Sequence, residues 1–408
     1  MNRSDAPKIS VIIPVYNVAP YLRQCLTSVI RQTFTDTEII LCLGKSTDES
    51  DDICREYAAR DNRIKIIHQT GKGLVNARKE AIRESCGQFV CFVDGDDYLM
   101  PNGLSDMYAA ANGHELLLNS YYYDCRGKTI RKTANLKTGI YNREYIAHEI
   151  IPRLFADNTV EDWQVTPYVW DKLFAREKLL LAEEQVSDSI SLGEDLACVA
   201  VYLASCTDVA VIDKPCCHYR YRMDSSANGK TTANLPLGIR EMDKLANEIL
   251  SHFLAGDELA RYCNHARISF LRNMLLPRMY DVWDDLITDT HIFPFGDVKP
   301  NSRLVIYGAG TMGMSLRRGI DASRKHKTVA QIDRDAAFYV RQGIDVMPPK
   351  ELTAIDFDFV LVAIVNVAAQ KAVMKSLADM GIDGQKILAV KSDDESVLRT
   401  LERRVWED

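Results

Sequence analysis

The chain has 408 residues, 47% of them apolar, and a formal net charge of −7. That length predicts two or three domains with proper cores, and the acidic balance argues against a nucleic-acid binder driven by phosphate contacts. The polar segment 1–8 does not read as a signal peptide and no apolar run reaches spanning length, so any membrane association is expected to be peripheral. In chain order, segments 9–14, 38–43, 64–68 and 89–94 read as strands. Between them Tyr21, Leu22, Cys25, Leu26, Val29 and Ile30 have helical spacing, as do Leu74, Ala77, Ala81 and Ile82. Such alternation predicts a doubly wound α/β sheet with ligands at the C-terminal ends of its strands.

From 107 to 222 the pattern is less regular and rich in aromatics, which suits a second half shaped for a bulky ligand. Segment 235–286 is apolar at helical spacing, with a break expected at Pro277. Turn residues between 294 and 301 mark a boundary. After it, the strand 303–307 feeds Gly308-x-Gly310-x-x-Gly313, and 328–332 and 357–364 are further strands. The expected organisation is a domain over 1–230 (halves 1–105 and 106–230), a helical connector over 231–298, a Rossmann-like domain over 299–392 and a charged tail over 393–408 that is at best a weakly amphipathic helix. Eleven cysteines include no C-x-x-C pair. Several, such as Cys42, Cys91 and Cys198, lie in apolar runs, as reduced core thiols of a cytoplasmic protein do.

The densest chemistry lies at Phe89-Val90-Cys91-Phe92-Val93-Asp94-Gly95-Asp96-Asp97. An apolar strand running into three carboxylates creates repulsion that a hard divalent cation, Mg²⁺ or Mn²⁺, would relieve. The plainer alternative is a strand ending in a solvated acidic turn. A second acidic pair, Glu194-Asp195, follows Gly193 and precedes a long apolar run, which places both carboxylates in the first turn of a buried helix. Ser191-x-x-Glu194 also reads as a capping box, as does Ser46-x-x-Glu49. Glu161-Asp162 beside Trp163 is a rival pair without a following apolar helix.

Ile9 through Asn17, then Gly71-x-Gly73 leading to Ala77-Arg78, then Val93-Asp94-Gly95-Asp96-Asp97, resemble in order and spacing the inverting family 2 glycosyltransferases of the GT-A fold. The resemblance extends through Glu194-Asp195 to about Ser226. It implies transfer of a sugar from a nucleotide-diphospho-sugar, a UDP-sugar being favoured, to a hydroxyl of a glycan or lipid-linked acceptor. It also implies polysaccharide assembly at the inner face of the cell membrane, with a homo-oligomer left open. The implied donor contacts are Pro14, Tyr16, Arg78, Asp94, Asp96 and Asp97, with Asp96 and Asp97 holding the metal. Asp195 is the implied base, with Glu194 beside it. Trp170-Asp171-Lys172 resembles the family's tryptophan-rich acceptor segment, so Trp170 and Lys172 are expected near the acceptor. His218, Arg220 and Arg222 fall where the family places a lid over the diphosphate; the plainer reading is an edge strand with outward charges.

One departure stands out. Where the family carries acidic residues ahead of Ser46-Thr47-Asp48, this chain has Leu43-Gly44-Lys45, and a leucine cannot accept a hydrogen bond from a nucleobase. The C-terminal Gly308, Gly310 and Gly313 with Asp333 form a dinucleotide-binding fingerprint in the right context. The unit around it is small and lacks an evident hydride-transfer partner, so a docking or regulatory module holding NAD(P) or a nucleotide-sugar is expected rather than a dehydrogenase. A non-catalytic nucleotide-sugar sensor and an NAD(P)-dependent oxidoreductase are the competing classes.

Overall fold

The computed structural model describes residues 6–133, 135–156, 164–222, 234–283, 285–286, 298–391 and 394–407. The chain divides into two compact units, Met1–Tyr221 with Glu241–Ala266, and Arg222–Arg240 with Arg267–Asp408.

In the first unit the described strands are β1 (Ile9–Val15), β2 (Thr37–Leu43), β3 (Ile64–His68), β4 (Phe89–Phe92), β5 (Tyr98–Leu99), β6 (Leu116–Cys125), β7 (Lys128–Lys132), β8 (Gly139–Asn142), β9 (Lys172–Ala175) and β10 (Asp208–Arg220). They form one sheet in the order β3-β2-β1-β4-β9-β6-β10-β5, with β7 on β6 and β8 on β10. Strands β1 to β4 are mutually parallel. Helices cover both faces of such a sheet, so its inner strands read as unbroken apolar runs, and all four residues of β4 are buried. Ser10 is the polar exception in β1. Its hydroxyl donates to Glu38 Oε1 at 2.5 Å and accepts the Gly87 N–H at 2.9 Å, so a buried group is fully used. Strand β9 runs antiparallel to β4 and β6, which makes the sheet mixed. Strand β10 runs parallel to β6 and slips register between Val211 and Pro215. Two helices matter to the site: Leu74–Glu84 and Glu194–Ser205.

In the second unit β11 (Arg303–Tyr307), β12 (Lys327–Ile332), β13 (Phe359–Val362) and β14 (Ile387–Ala389) form a parallel sheet in the order β12-β11-β13-β14. Gly308 has φ +114°, and a Cβ on Gly313 would stand 2.0 Å from the Gly308 carbonyl oxygen. Only glycine at 313 lets the helix Thr311–Ser323 start this close to β11.

Helices Leu235–Ser251 and Gly256–Phe270 occupy the connector segment. Helical geometry widens to a π-type turn at Leu271–Leu275 and then tightens to a 3-10 turn, Leu276–Arg278, around Pro277. The charged tail, expected to be at best a weakly amphipathic helix, is the helix Glu395–Trp406. Val397, Leu398, Leu401 and Val405 form one buried stripe, and the Asp394 side chain caps the first turn. Four apolar residues among many charges carry that helix, which is why composition alone understated it.

Candidate active site

The acidic cluster lies where β4 ends. Asp94, Asp96 and Asp97 each offer a carboxylate oxygen, all within 4.8 Å of one another. Asp97 is buried. Its Oδ1 accepts the Arg220 N–H at 2.7 Å, while its Oδ2 is buried and finds no hydrogen-bond partner among the described residues. Burial, then the Asp96 charge, holds the Asp97 carboxyl well above the usual carboxylate range. Burial, followed by Asp96 and Asp195, pushes Asp94 up to about 7. A divalent cation fits this donor set: hard oxygen ligands, an orphaned buried oxygen, and repulsion that positive charge would relieve.

The second acidic pair enters the same electrostatic neighbourhood, since both Asp195 and Glu194 act on Asp94. Gly193 sits in the left-handed region at φ 84° and starts the helix Glu194–Ser205, presenting both carboxylates in its first turn. Neither capping box forms. Gly193 is the N-cap of that helix, with no side-chain cap, which leaves Glu194 free of the Ser191 reading. At the other site the N-cap of the helix Ser50–Ala58 is Glu49, also without a side-chain cap, while Asp48 accepts from Ser50 N and Ala19 N. Asp195 Oδ1 pairs with Arg78 Nη2 at 2.5 Å and its Oδ2 accepts the Val169 N–H at 3.3 Å. Burial, then the Asp195 charge, raises the Glu194 carboxyl to about 7.

Arg78 is 1% exposed on the helix Leu74–Glu84, so it is not a solvated surface charge. Its guanidinium lies over Phe92 at 5.4 Å. Burial opposes its charge, yet Asp195, Glu183, Glu194 and Asp94 together raise its pKa. Arg78 therefore serves as counter-ion to the acids. Glu183, fully buried in the helix Arg176–Gln185, is a member of this cluster that sequence reasoning missed. Nothing in its local pattern distinguishes it from the exposed Glu184 beside it.

Other expected contacts fall elsewhere. Trp170 is 3% exposed and stacks on Tyr219 at 4.9 Å and 4°, a core position that presents no face to an acceptor. Lys172 is fully buried, its ammonium enclosed by protein oxygens. His218 belongs to β10, stacks on Tyr98 at 4.4 Å and bonds Asp124 at 3.0 Å. The Arg220 guanidinium lies over Tyr21 and bonds Gln24, its backbone N–H donates to Asp97, and its charge favours the ionised form of Asp97. Arg222 lies beyond the end of β10. Glu161, Asp162, Trp163, Ser225 and Ser226 lie outside the described residues. Pro14 is the penultimate residue of β1, and Tyr16 follows the strand, 63% exposed. Leu43 is 1% exposed at the end of β2.

Residues 10–177 match the family model described as glycosyl transferase family 2. This segment is similar to family 2 glycosyltransferase domains. The mixed, doubly wound sheet is consistent with the GT-A fold of that family. The chain is 34% identical over 191 residues to an uncharacterized glycosyltransferase, EpsJ, of Bacillus subtilis, covering 46% of this chain and 54% of that protein. It is 33% identical over 221 residues to the glycosyltransferase GlyA of Streptococcus pneumoniae, covering 53% of this chain and 31% of that one. The matches thus span about half or less of these curated relatives. Among solved structures, Staphylococcus aureus TarS 1–349 aligns with a TM-score of 0.47 and 21% identity over 69% of this chain and 80% of that one.

Beyond that family 2-like segment, residues 300–388 match the model described as C2185-like, N-terminal. There the Asp333 oxygens accept Ala309 N and Asp335 N, both at 2.9 Å. The acid of the fingerprint thus ties down the glycine loop itself. No described helix is long and apolar enough to cross a membrane.

Proposed function

We propose that this protein is an inverting glycosyltransferase that moves a sugar from a nucleotide-diphospho-sugar to a hydroxyl of a glycan or lipid-linked acceptor. The observation that carries the reading is the meeting of two acidic groups of different kinds at the end of β4. One is the Asp94, Asp96 and Asp97 cluster with its orphaned oxygen; the other is a carboxylate pair braced by a buried guanidinium. Asp96 and Asp97 would hold Mn²⁺ or Mg²⁺, with Asp94 left for the ribose. When bound, such a cation stabilises charge on the departing diphosphate. Tyr16 offers an exposed ring for the nucleobase beside Gly44. The buried side chain of Leu43 supports a base contact that differs from the family's acidic one.

Asp195 takes the proton of the acceptor hydroxyl. The hydroxyl oxygen then bonds to the anomeric carbon from the face opposite the diphosphate, whose carbon–oxygen bond breaks, so an α-linked donor gives a β-linked product. Arg78 and the Val169 N–H hold Asp195 in one orientation while leaving each oxygen a lone pair. A positioned base contributes roughly 10²–10⁴-fold. The test is a panel of UDP- and GDP-sugars scored for Mn²⁺-stimulated release of nucleoside diphosphate. Tight binding without release from any of them, for which the buried Leu43 gives a motive, points to a nucleotide-sugar sensor. Turnover that survives in Asp96→Ala would remove the metal role.

A further inference from the structure

Lys172 is fully buried, and nothing in the catalytic reading uses it. Its three N–H groups are shared among four acceptors: the Tyr168 carbonyl at 2.6 Å, Asp171 Oδ1 at 2.7 Å, the Thr166 carbonyl at 2.8 Å and Thr166 Oγ1 at 2.9 Å. Thr166 Oγ1 in turn bonds Asp171 Oδ2. A buried ion pair is costly unless its remaining donors and acceptors are satisfied, and here an ammonium and a carboxylate are satisfied almost entirely within the segment 166–172. The result is a closed knot that fixes how that segment runs.

The knot has one outlet. The carbonyl gripped most closely belongs to Tyr168, and the amide on the same peptide is the N–H of Val169, which donates to Asp195 Oδ2. A trans peptide is planar, so its C=O and N–H point in opposite directions and cannot turn separately. Aiming the Tyr168 carbonyl at Lys172 therefore aims the Val169 N–H away from Lys172, towards Asp195. A carbonyl that accepts from a cation also polarises its own amide and makes the N–H a stronger donor.

We propose that Lys172 is a positioning residue that orients Asp195 through the Tyr168–Val169 peptide. This rests on Asp195 serving as the base. Arg78 grips Oδ1 and Lys172, one peptide removed, controls the partner of Oδ2, so the carboxylate is clamped from two sides. Lys172 touches neither donor nor acceptor.

The experiment reads hydrogen exchange at the Val169 amide of the full chain, with the Ile12 amide of β1 as a reference for global opening. In the wild type Val169 is expected to be protected, and Asp195→Ala to speed its exchange about tenfold with Ile12 unmoved. Lys172→Met should reproduce that acceleration. Asp171→Asn/Lys172→Met removes both buried charges and should reproduce it too, with sugar transfer falling at least about tenfold in kcat while the donor KM stays within about threefold. Unchanged Val169 exchange in either Lys172 variant overturns the proposal, as does a wild-type Val169 amide that Asp195→Ala leaves untouched. If both Lys172 variants fail to fold, the knot is purely structural and the proposal is likewise overturned. Exchange needs no donor, so failure of the transferase reading would appear only in the donor panel and failure of this proposal only at Val169.

Discussion

Replacing Arg78 with methionine keeps much of the aliphatic stem and removes the charge. Arg78 is 1% exposed, lies 2.5 Å from Asp195 and has Glu183, Glu194 and Asp94 in its field. Removing one partner of a buried ion pair costs about 3–5 kcal/mol, because the other is left uncompensated. In a body of this size that is roughly 6–20 °C in Tm. The deficit should also depend on pH. Burial, then Asp195, holds the Glu194 carboxyl at about 7 against an ordinary 4.5, and burial raises Glu183 as well. A carboxyl raised in the folded state keeps a proton that the unfolded chain has lost, so stability falls as pH climbs from about 4.5 towards 7. Arg78 works against this by favouring the charged form at both residues. Without it the carboxyls rise further, each unit amounting to about 1.4 kcal/mol, so the loss should be greater at pH 8 than at pH 5. Thermal unfolding of wild type and Arg78→Met at the two pH values decides the matter. A deficit below about 1 kcal/mol at pH 8, or one equal at both pH values, would refute the view of Arg78 as counter-ion.

Asp195→Asn should bind the donor normally and lose transfer by about 10²–10⁴-fold; normal transfer would move the base to Glu194, which Glu194→Gln then tests. Mn²⁺ at about 100 times its Kd should stabilise the wild type by about 2.7 kcal/mol and leave Asp96→Ala unmoved. An equal Tm rise in both proteins would place the ion elsewhere. In the second unit Gly313→Ala forces a Cβ to within 2.0 Å of the Gly308 carbonyl oxygen. It should lower that unit's unfolding transition by about 1–3 kcal/mol, and an unchanged transition would mean that the helix start can shift freely.

The parallel half of the main sheet was legible because burial on both faces writes the same message at every position. The expected strands 9–14, 38–43, 64–68 and 89–94 correspond to β1 (Ile9–Val15), β2 (Thr37–Leu43), β3 (Ile64–His68) and β4 (Phe89–Phe92). The three aspartates were legible too, since contiguous like charges after an apolar strand are a physical anomaly in one dimension. The capping boxes misled because spacing fits them while the backbone does not: Gly193 in a left-handed conformation needs no serine ahead of it.

What stayed hidden shares one cause, the pairing of polar groups across long stretches of chain. Asp97 is completed by a backbone amide 123 residues away, at Arg220. Lys79, which follows Arg78, pairs with Asp188 across 109 residues. Such partners leave no periodic trace, so nothing in the local pattern around Arg78 showed that it would stand as counter-ion to several acids. Lys172 is the instructive case, because its partner Asp171 is adjacent and was in plain view. Adjacent opposite charges on a strand would ordinarily point to opposite faces and reach different surroundings. Here Thr166 folds back and closes both into one knot, so the pair is satisfied internally and has no charge left to offer an acceptor. A charged residue that is both buried and locally satisfied acts through the backbone it holds, and that backbone leads from Tyr168 to Val169 and on to Asp195.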